Sequence, residues 1–225
     1  MSNVNFHVHT HYSDGVKSVK EVIDGLKKAG VTAFSITDHD DCRAALEASK
    51  IATKVGLKFV SGVELSAVFN GEGNLYSSYI CHILGYNIDS KKMQSQLDVY
   101  SKMGRYPSIK SQIDLIHKCG GLAVWAHPFN IIDTHRMITL DREKVAWITK
   151  NMVELGIDGL EVYYQDYSET KIEFLEDLAY EHDLLKSVGT DYHGHVHRVS
   201  NELKFSRTYI IPHATILDKI RFFRV

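Results

Sequence analysis

Short apolar runs alternate along the chain with stretches whose apolar residues recur every three or four positions. Val4, Phe6 and Val8 alternate with Asn5, His7 and His9, the period-two pattern of a strand. From Ser18 to Ala29 the residues Val19, Val22, Ile23 and Leu26 share one helical face. Ser18 and Glu21 form a capping box there, and Gly30 marks the stop. Ala33 to Thr37 reads as a second strand. Cys42 to Val55 reads as a second helix, with Asp41 as N-cap and Gly56 as the stop. Lys58 to Phe69 and Tyr76 to Tyr86 flank a turn at Asn70 to Asn74, which predicts a hairpin. A helical stretch around Met93, Leu97 and Tyr100 follows, then a helix from Ser108 to Cys119 and a strand from Leu122 to Ala126. Ile131 to Leu140 reads as a loop. The remainder alternates: helix Asp141 to Leu155, strand Gly159 to Tyr164, helix Ser168 to His182, strand Leu185 to Thr190, and a last helix through Ile216, Leu217 and Ile220.

Some seven strand–helix units of this kind predict an α/β fold built on a mostly parallel sheet, open or closed into a barrel. No Pro/Gly/Ser-rich linker interrupts them, and only three prolines occur, so residues 1–225 read as a single domain. With 44% hydrophobic residues the chain can bury a core and is not a disordered segment. No apolar run approaches the roughly 18 residues of a membrane span. Met1 to His7 has neither a basic stretch nor an apolar one, so no secretory signal is expected there. A formal charge of −2 offers no broad basic face for nucleic acid. Cys42, Cys81 and Cys119 are odd in number and widely spaced, which fits reduced thiols in a cytoplasmic protein.

Thirteen histidines change the picture, because they sit with carboxylates at strand ends. His7 and His9, two apart on the first strand, face the same way. Asp14 follows in a loop, Asp38 and His39 end the second strand, and Glu64 lies in the third. His82 lies in the fourth, His127 ends the fifth, Glu161 lies in the sixth, and Asp191 and His193 close the seventh. Parallel α/β sheets and barrels gather such strand ends at one mouth. So many imidazoles and carboxylates cannot form a dry core, since unpaired polar groups are costly to bury. Zinc, iron or manganese would resolve this, with a carboxylate bridging two ions. Asp38, adjacent to His39, points the other way on an extended backbone and is expected to orient a ligand or cap the next helix. His11, His195 and His197 lie beside the pattern without fitting it, and the histidines at 117, 135, 182 and 213 lack strand-end partners.

Taken together, His7-Val8-His9, Ser13-Asp14-Gly15, Thr37-Asp38-His39-Asp40, Gly62-Val63-Glu64, His82, Ala126-His127-Pro128 and Asp191-Tyr192-His193 resemble the PHP (polymerase and histidinol phosphatase) domain superfamily. The resemblance implies a distorted (β/α)7 TIM-like barrel with two or three divalent ions (Mn, Fe or Zn) that hydrolyses phosphoesters. It further implies His7, His9, Asp14, His39, Glu64, His82, His127, Asp191 and His193 as metal ligands. Glu64 would bridge an ion on His7, His9 and Asp191 to one on His82 and His127, while Asp14, His39 and His193 would hold a third. The motif forms look most like a stand-alone branch with mononucleotide phosphatases and small exonucleases. The helical insertion usual in that branch is expected to be absent or truncated between Tyr86 and Leu122. The expected function is hydrolysis of a small phosphomonoester (nucleotide, sugar or amino-alcohol phosphate). Asp191 and His193 would serve the chemistry, Arg198 would grip the phosphate ahead of Arg43 or Arg136, and His195 is a candidate proton donor. The alternatives are an exonuclease on short single-stranded oligonucleotides and a regulatory metal-binding module without catalysis. Amidohydrolases also open on His-x-His, but they call for a metal-bridging Lys on the fourth strand, where this chain has His82.

Overall fold

The computed structural model describes residues 3–70, 78–103, 106–133 and 136–194. Nine strands and six α-helices are found there, with seven strands in the order β1-β2-β3-β4-β5-β8-β9. Strand β1 (Val4–Asn5), helix α1 (Val19–Lys28), strand β2 (Ala33–Ile36), helix α2 (Arg43–Val55) and strand β3 (Lys58–Asn70) form the first parallel units. The Ser18–Glu21 capping box closes the start of α1 as its sequence predicts, and Gly56 ends α2 in the left-handed conformation. Asp41 is not the N-cap of α2. That position is Cys42, which supplies no side-chain cap, while Asp41 Oδ1 accepts from Arg43 N at 2.7 Å and Oδ2 from the Arg43 guanidinium.

Strand β4 (Ser78–Tyr86) reverses direction and pairs antiparallel with both β3 and β5 (Leu122–Trp125), so the sheet is mixed. Helices α3 (Ser90–Tyr100) and α4 (Ile109–Lys118), with a 3₁₀ turn (Ser101–Met103), connect β4 to β5. The predicted turn at 71–74 lies outside the described residues, as does the predicted last helix at 216–220.

Where a loop was expected at 131–140, strands β6 (Asn130–Asp133) and β7 (Arg136–Thr139) pair antiparallel, and β6 adds to the far end of β4. Each carries only four residues, too few for a visible period. Helix α5 (Arg142–Glu154), strand β8 (Gly159–Tyr164), helix α6 (Glu169–Glu181) and strand β9 (Leu185–Gly189) complete the parallel half. Phe6 N donates to Val188 O at 3.0 Å and Asp191 N to His7 O at 2.9 Å, so the end of the sheet meets its beginning in a nearly closed barrel.

Alternation decides which side chains face the interior. Val8, Phe34 and Ile36 pack outward against Val19, Val22, Ile23 and Leu26 of α1 and the alanines of α2. The opposite parity (His7, His9, Ser35) is polar and fully buried. The larger apolar cluster joins β3–β5 and β8 to α3–α6 around Trp125, Tyr86 and Ile116. Among the described residues no helix is long and apolar enough to cross a membrane.

Candidate metal centre

Backbone register explains why residues so distant in sequence meet. Val8 and Tyr192 form a parallel bridge. His7 and His9 flank the one and Asp191 and His193 the other, so both pairs face one side. On β3, Glu64 and Ser66 share a face, and Ser66 lies directly opposite His82. His82 therefore reaches the mouth from the middle of an antiparallel strand, unlike the residues that end parallel strands. His39 bridges Glu64 in parallel. Asp40, His127 and Asp191 all adopt positive φ (49°, 30° and 51°). Left-handed non-glycine residues are strained, and three of the five among the described residues lie beside one feature, the others being Asn87 and Asp183.

That feature is the Glu64 carboxylate, fully buried and faced by five imidazoles. Its Oε2 lies 3.0 Å from His7 Nε2, 3.1 Å from His9 Nε2 and 3.4 Å from His39 Nδ1. Oε1 lies 3.1 Å from His82 Nδ1 and 3.2 Å from His127 Nε2. Asp191 Oδ1 sits 3.2 Å and 3.1 Å from the same His7 and His9 nitrogens, and those two nitrogens are 3.1 Å apart. Asp14, largely exposed, places its oxygens 3.2 Å from His193 Nε2, 3.6 Å from His9 Nδ1 and 3.7 Å from His39 Nε2.

The far side of several rings is already committed. His7 Nδ1–H donates to Glu161 Oε1 at 3.0 Å, His127 Nδ1–H to Asn130 O at 3.0 Å, and His193 Nδ1–H to the Asp191 carbonyl at 2.8 Å. A carboxylate or carbonyl only accepts, so each Nδ1 holds a proton, and once a ring has no second proton it turns an Nε2 lone pair toward a carboxylate. Lone pair against lone pair at about 3 Å needs a cation between them. A carboxylate has about four lone-pair directions, fewer than five imidazoles require. His39 Nδ1 and His82 Nδ1 are buried and make no hydrogen bond. This donor set fits divalent metal ions. Three groups of ligand atoms lie close enough to hold one each: His7, His9, Glu64 and Asp191; His39, Glu64 and His82; and His9, Asp14, His39 and His193.

The charges respond to the crowding. Burial depresses the imidazoles, but Glu64, Glu161 and Asp191 outweigh it at His7 and hold its pKa well above the usual value. At His9 burial is outweighed by Asp191 and Glu64, and the pKa rises to about 9. His39, buried and with His9 and His82 opposing the pull of Glu64 and Asp14, falls to about 4. Burial works to raise Glu64, yet His7, His82 and His39 carry it well below the carboxylate range. Asp191 is lowered in the same way against burial, chiefly by His7 and His9.

Outside this shell, Asp38 points away from the cluster as expected. Its carboxylate accepts from Thr10 N and Ser13 Oγ at 2.7 Å each, which pins the loop bearing Asp14. Two residues lie outside the expected ligand set. Glu161, polar on an otherwise apolar strand, accepts from His7 and from His127 N at 2.8 Å. Tyr164 O–H donates to Asp191 Oδ2 at 3.1 Å, and no pattern in the sequence marks it. Arg43, a candidate for the phosphate, opens α2, pairs with Asp41 and lies over the Tyr12 ring. Arg136 begins β7 rather than a strand-to-helix loop. His195 and Arg198 lie outside the described residues, and His117 pairs with Asp158 at 2.7 Å, away from the cluster.

Among solved structures, one from Chromobacterium violaceum, described as an amidohydrolase with bound sulfate and no metal, superposes with a TM-score of 0.70. It is 20% identical and covers 85% of this chain and 88% of its own. A Bifidobacterium adolescentis protein described as a metal-dependent phosphoesterase gives 0.69 at 20% identity, over 89% and 92%. At this identity the likeness is one of fold. In sequence the chain is 24% identical to a 5'-3' exoribonuclease of Haemophilus influenzae, over 84% of this chain and 89% of that one. It is 33% identical to a 3',5'-nucleoside bisphosphate phosphatase of Chromobacterium violaceum over 40% of this chain, a match that spans only 29% of the relative. A family model, that of the PHP domain, matches residues 5–221. A match that opens at Asn5 and runs past Asp191 and His193 takes in the whole cluster, and the chain belongs to the PHP domain family.

Proposed function

We propose that this chain is a metal-dependent phosphoesterase that cleaves small phosphomonoesters, and that residues 1–225 form one PHP domain. The observation that carries the reading is Glu64, a single buried carboxylate faced by five imidazole nitrogens at 3.0–3.4 Å. His7, His9, Glu64 and Asp191 would hold one ion. Glu64, His82 and His127 would hold a second at the other carboxylate oxygen. Asp14 and His193 would hold a third, with His39 turned toward both of the latter sites through its two nitrogens. When bound, such ions neutralise charge on phosphoryl oxygens and acidify a water near neutral pH.

The chain's own residues do the positioning. Glu161 fixes the His7 ring, Asn130 O fixes His127, and Tyr164 holds Asp191 from behind. Arg198 for the phosphate and His195 for the leaving alkoxide are the sequence-based candidates. The three described cysteines are buried and free, which supports a reducing compartment such as the cytoplasm.

One named relative, the 3',5'-nucleoside bisphosphate phosphatase, acts on a small nucleotide phosphate by name and supports the substrate class. The match to the exoribonuclease over most of both chains favours a short oligonucleotide as the second reading. The test supplies manganese, iron and zinc separately and measures phosphate release from sugar phosphates and mononucleotides, and mononucleotide release from short single-stranded RNAs. His9→Ala and Asp191→Ala are expected to lose metal and turnover together while keeping the fold by circular dichroism. Full turnover with unchanged metal content in either variant would overturn the assignment. Rates that climb with RNA length select the exonuclease reading.

A further inference from the structure

The pairing of β8 with β9 slips by one residue between Glu161 and Tyr163. Glu161 stands opposite Ser187, whereas Tyr163 stands opposite Val188 and Tyr164 opposite Gly189. Residues three apart on a regular strand face opposite sides of the sheet. The extra residue in β8 cancels that difference, as a bulge does when it re-aims a side chain. Glu161 and Tyr164 therefore both reach the cluster, one at His7 and the other at Asp191.

Tyr164 has little freedom once there. Its ring is buried, stands T-shaped against His127 with centroids 5.8 Å apart, and leans on Tyr167 at 5.0 Å. An ionised carboxylate only accepts, and a phenol keeps its proton at neutral pH, so Tyr164 O–H is the donor to Asp191 Oδ2 at 3.1 Å. The other oxygen, Oδ1, is the one turned to His7 Nε2 and His9 Nε2, at 3.2 Å and 3.1 Å. The Asp191 backbone is pinned on both sides, its N–H on His7 O at 2.9 Å and its carbonyl on His193 Nδ1–H at 2.8 Å. The two oxygens of one carboxylate thus have different partners: Oδ1 faces the ligand atoms and Oδ2 is tied to the phenol.

A carboxylate binds a divalent ion through one oxygen or through both. His7, His9, Glu64 and Asp191 offer one ligand atom each, four in all, and a zinc site that does chemistry expands to a fifth. We infer that Tyr164 is a positioning residue that limits Asp191 to one oxygen at this ion and so keeps the next coordination position open for a phosphate oxygen or water. The inference rests on the metal-dependent phosphoesterase reading and deepens it. A partner that only orients a ligand raises metal affinity. A partner that withholds a ligand atom lowers metal affinity and leaves room for substrate. Removing the hydroxyl therefore has opposite consequences in the two cases.

The test compares wild type with Tyr164→Phe, which keeps the ring and its packing and loses only the O–H. Zinc affinity is read by chelator competition, and binding of inorganic phosphate to the zinc-loaded protein by calorimetry; neither needs turnover. Tyr164→Phe is expected to bind zinc more tightly than wild type, because Oδ2 is released to the ion. It is expected to bind phosphate more weakly by on the order of tenfold, the loss of one charged contact. Turnover of whichever ester the wild type hydrolyses fastest is expected to fall with the phosphate affinity. Zinc affinity that is unchanged or lowered overturns the inference, since loss of an ordinary orienting partner costs about 10–100-fold. Phosphate affinity that does not fall in the variant overturns it too. Wild-type protein that loads zinc and takes up no phosphate overturns the open position itself. The phosphoesterase reading is judged separately, by ester hydrolysis and by the His9→Ala and Asp191→Ala variants.

Discussion

At the scale of single residues, the site works by turning lone pairs inward. Glu161 does this for His7, since a carboxylate on Nδ1 leaves only Nε2 for the cluster. It also takes the backbone N–H of His127, a residue held at a φ of 30°. One carboxylate therefore orients the His7 ring and holds the His127 backbone. Glu161→Gln keeps the shape but gives up one acceptor of the two. It is expected to weaken metal affinity 10–100-fold, measured by chelator competition, and to lower the thermal midpoint of the metal-free protein as well, because one buried donor loses its acceptor. The inner residues were legible because imidazoles and carboxylates at strand ends are rare enough to notice. Glu161 could be seen as a polar residue on the sixth core strand, but nothing in its spacing separates a residue that binds from one that orients. Tyr164 was not legible at all. An aromatic residue on a buried strand is ordinary core material until the register shows its hydroxyl against Asp191.

Elements were legible where a local rule closes them. The α1 capping box and the left-handed Gly56 each follow from residues within a turn of the boundary. The β6–β7 hairpin and the reversed sense of β5 relative to β4 depend on partners elsewhere in the chain, which periodicity does not carry. Closure of the barrel is of the same kind. Strand β9 ends at Gly189, where a Cβ would run into the His7 side chain and Glu161 Oε1. The glycine is needed for this close approach rather than for its backbone freedom, because the space is filled by the pair that positions His7. Gly189→Ala must push β9 away from β1. It is expected to destabilise the fold by roughly 1–3 kcal/mol, as overpacking does, and to lower metal content in the same preparation. Denaturant titration beside metal analysis checks both. A variant with wild-type midpoint and full metal content would show that the contact yields freely.

For the molecule as a whole, the cluster couples folding, protons and metal. His9 has a pKa of about 9 in the folded, metal-free chain against about 6.5 unfolded. A raised imidazole pKa stabilises the fold fully below 6.5, and that contribution is lost as pH rises through 9. His7, His127 and His193 are shifted in the same direction. His39, lowered to about 4, acts oppositely: it costs stability as pH falls from 6.5 toward 4, where the unfolded chain would take up the proton first. The lowered carboxylates of Glu64 and Asp191 hold their charge throughout this range. Without metal, then, protons occupy the space between nitrogens and carboxylates, and they must leave when a divalent ion enters. The thermal midpoint of chelator-treated protein is expected to fall between pH 6.5 and 9, and metal-loaded protein is expected to lose less over the same interval. Calorimetric titration with zinc near pH 7 in two buffers of different ionisation enthalpy should give different heats, because imidazole protons pass to the buffer. The number released should decline as the starting pH approaches 9. Identical heats in both buffers would mean that His7 and His9 are neutral before metal arrives, and the electrostatic account of the cluster would fail with them.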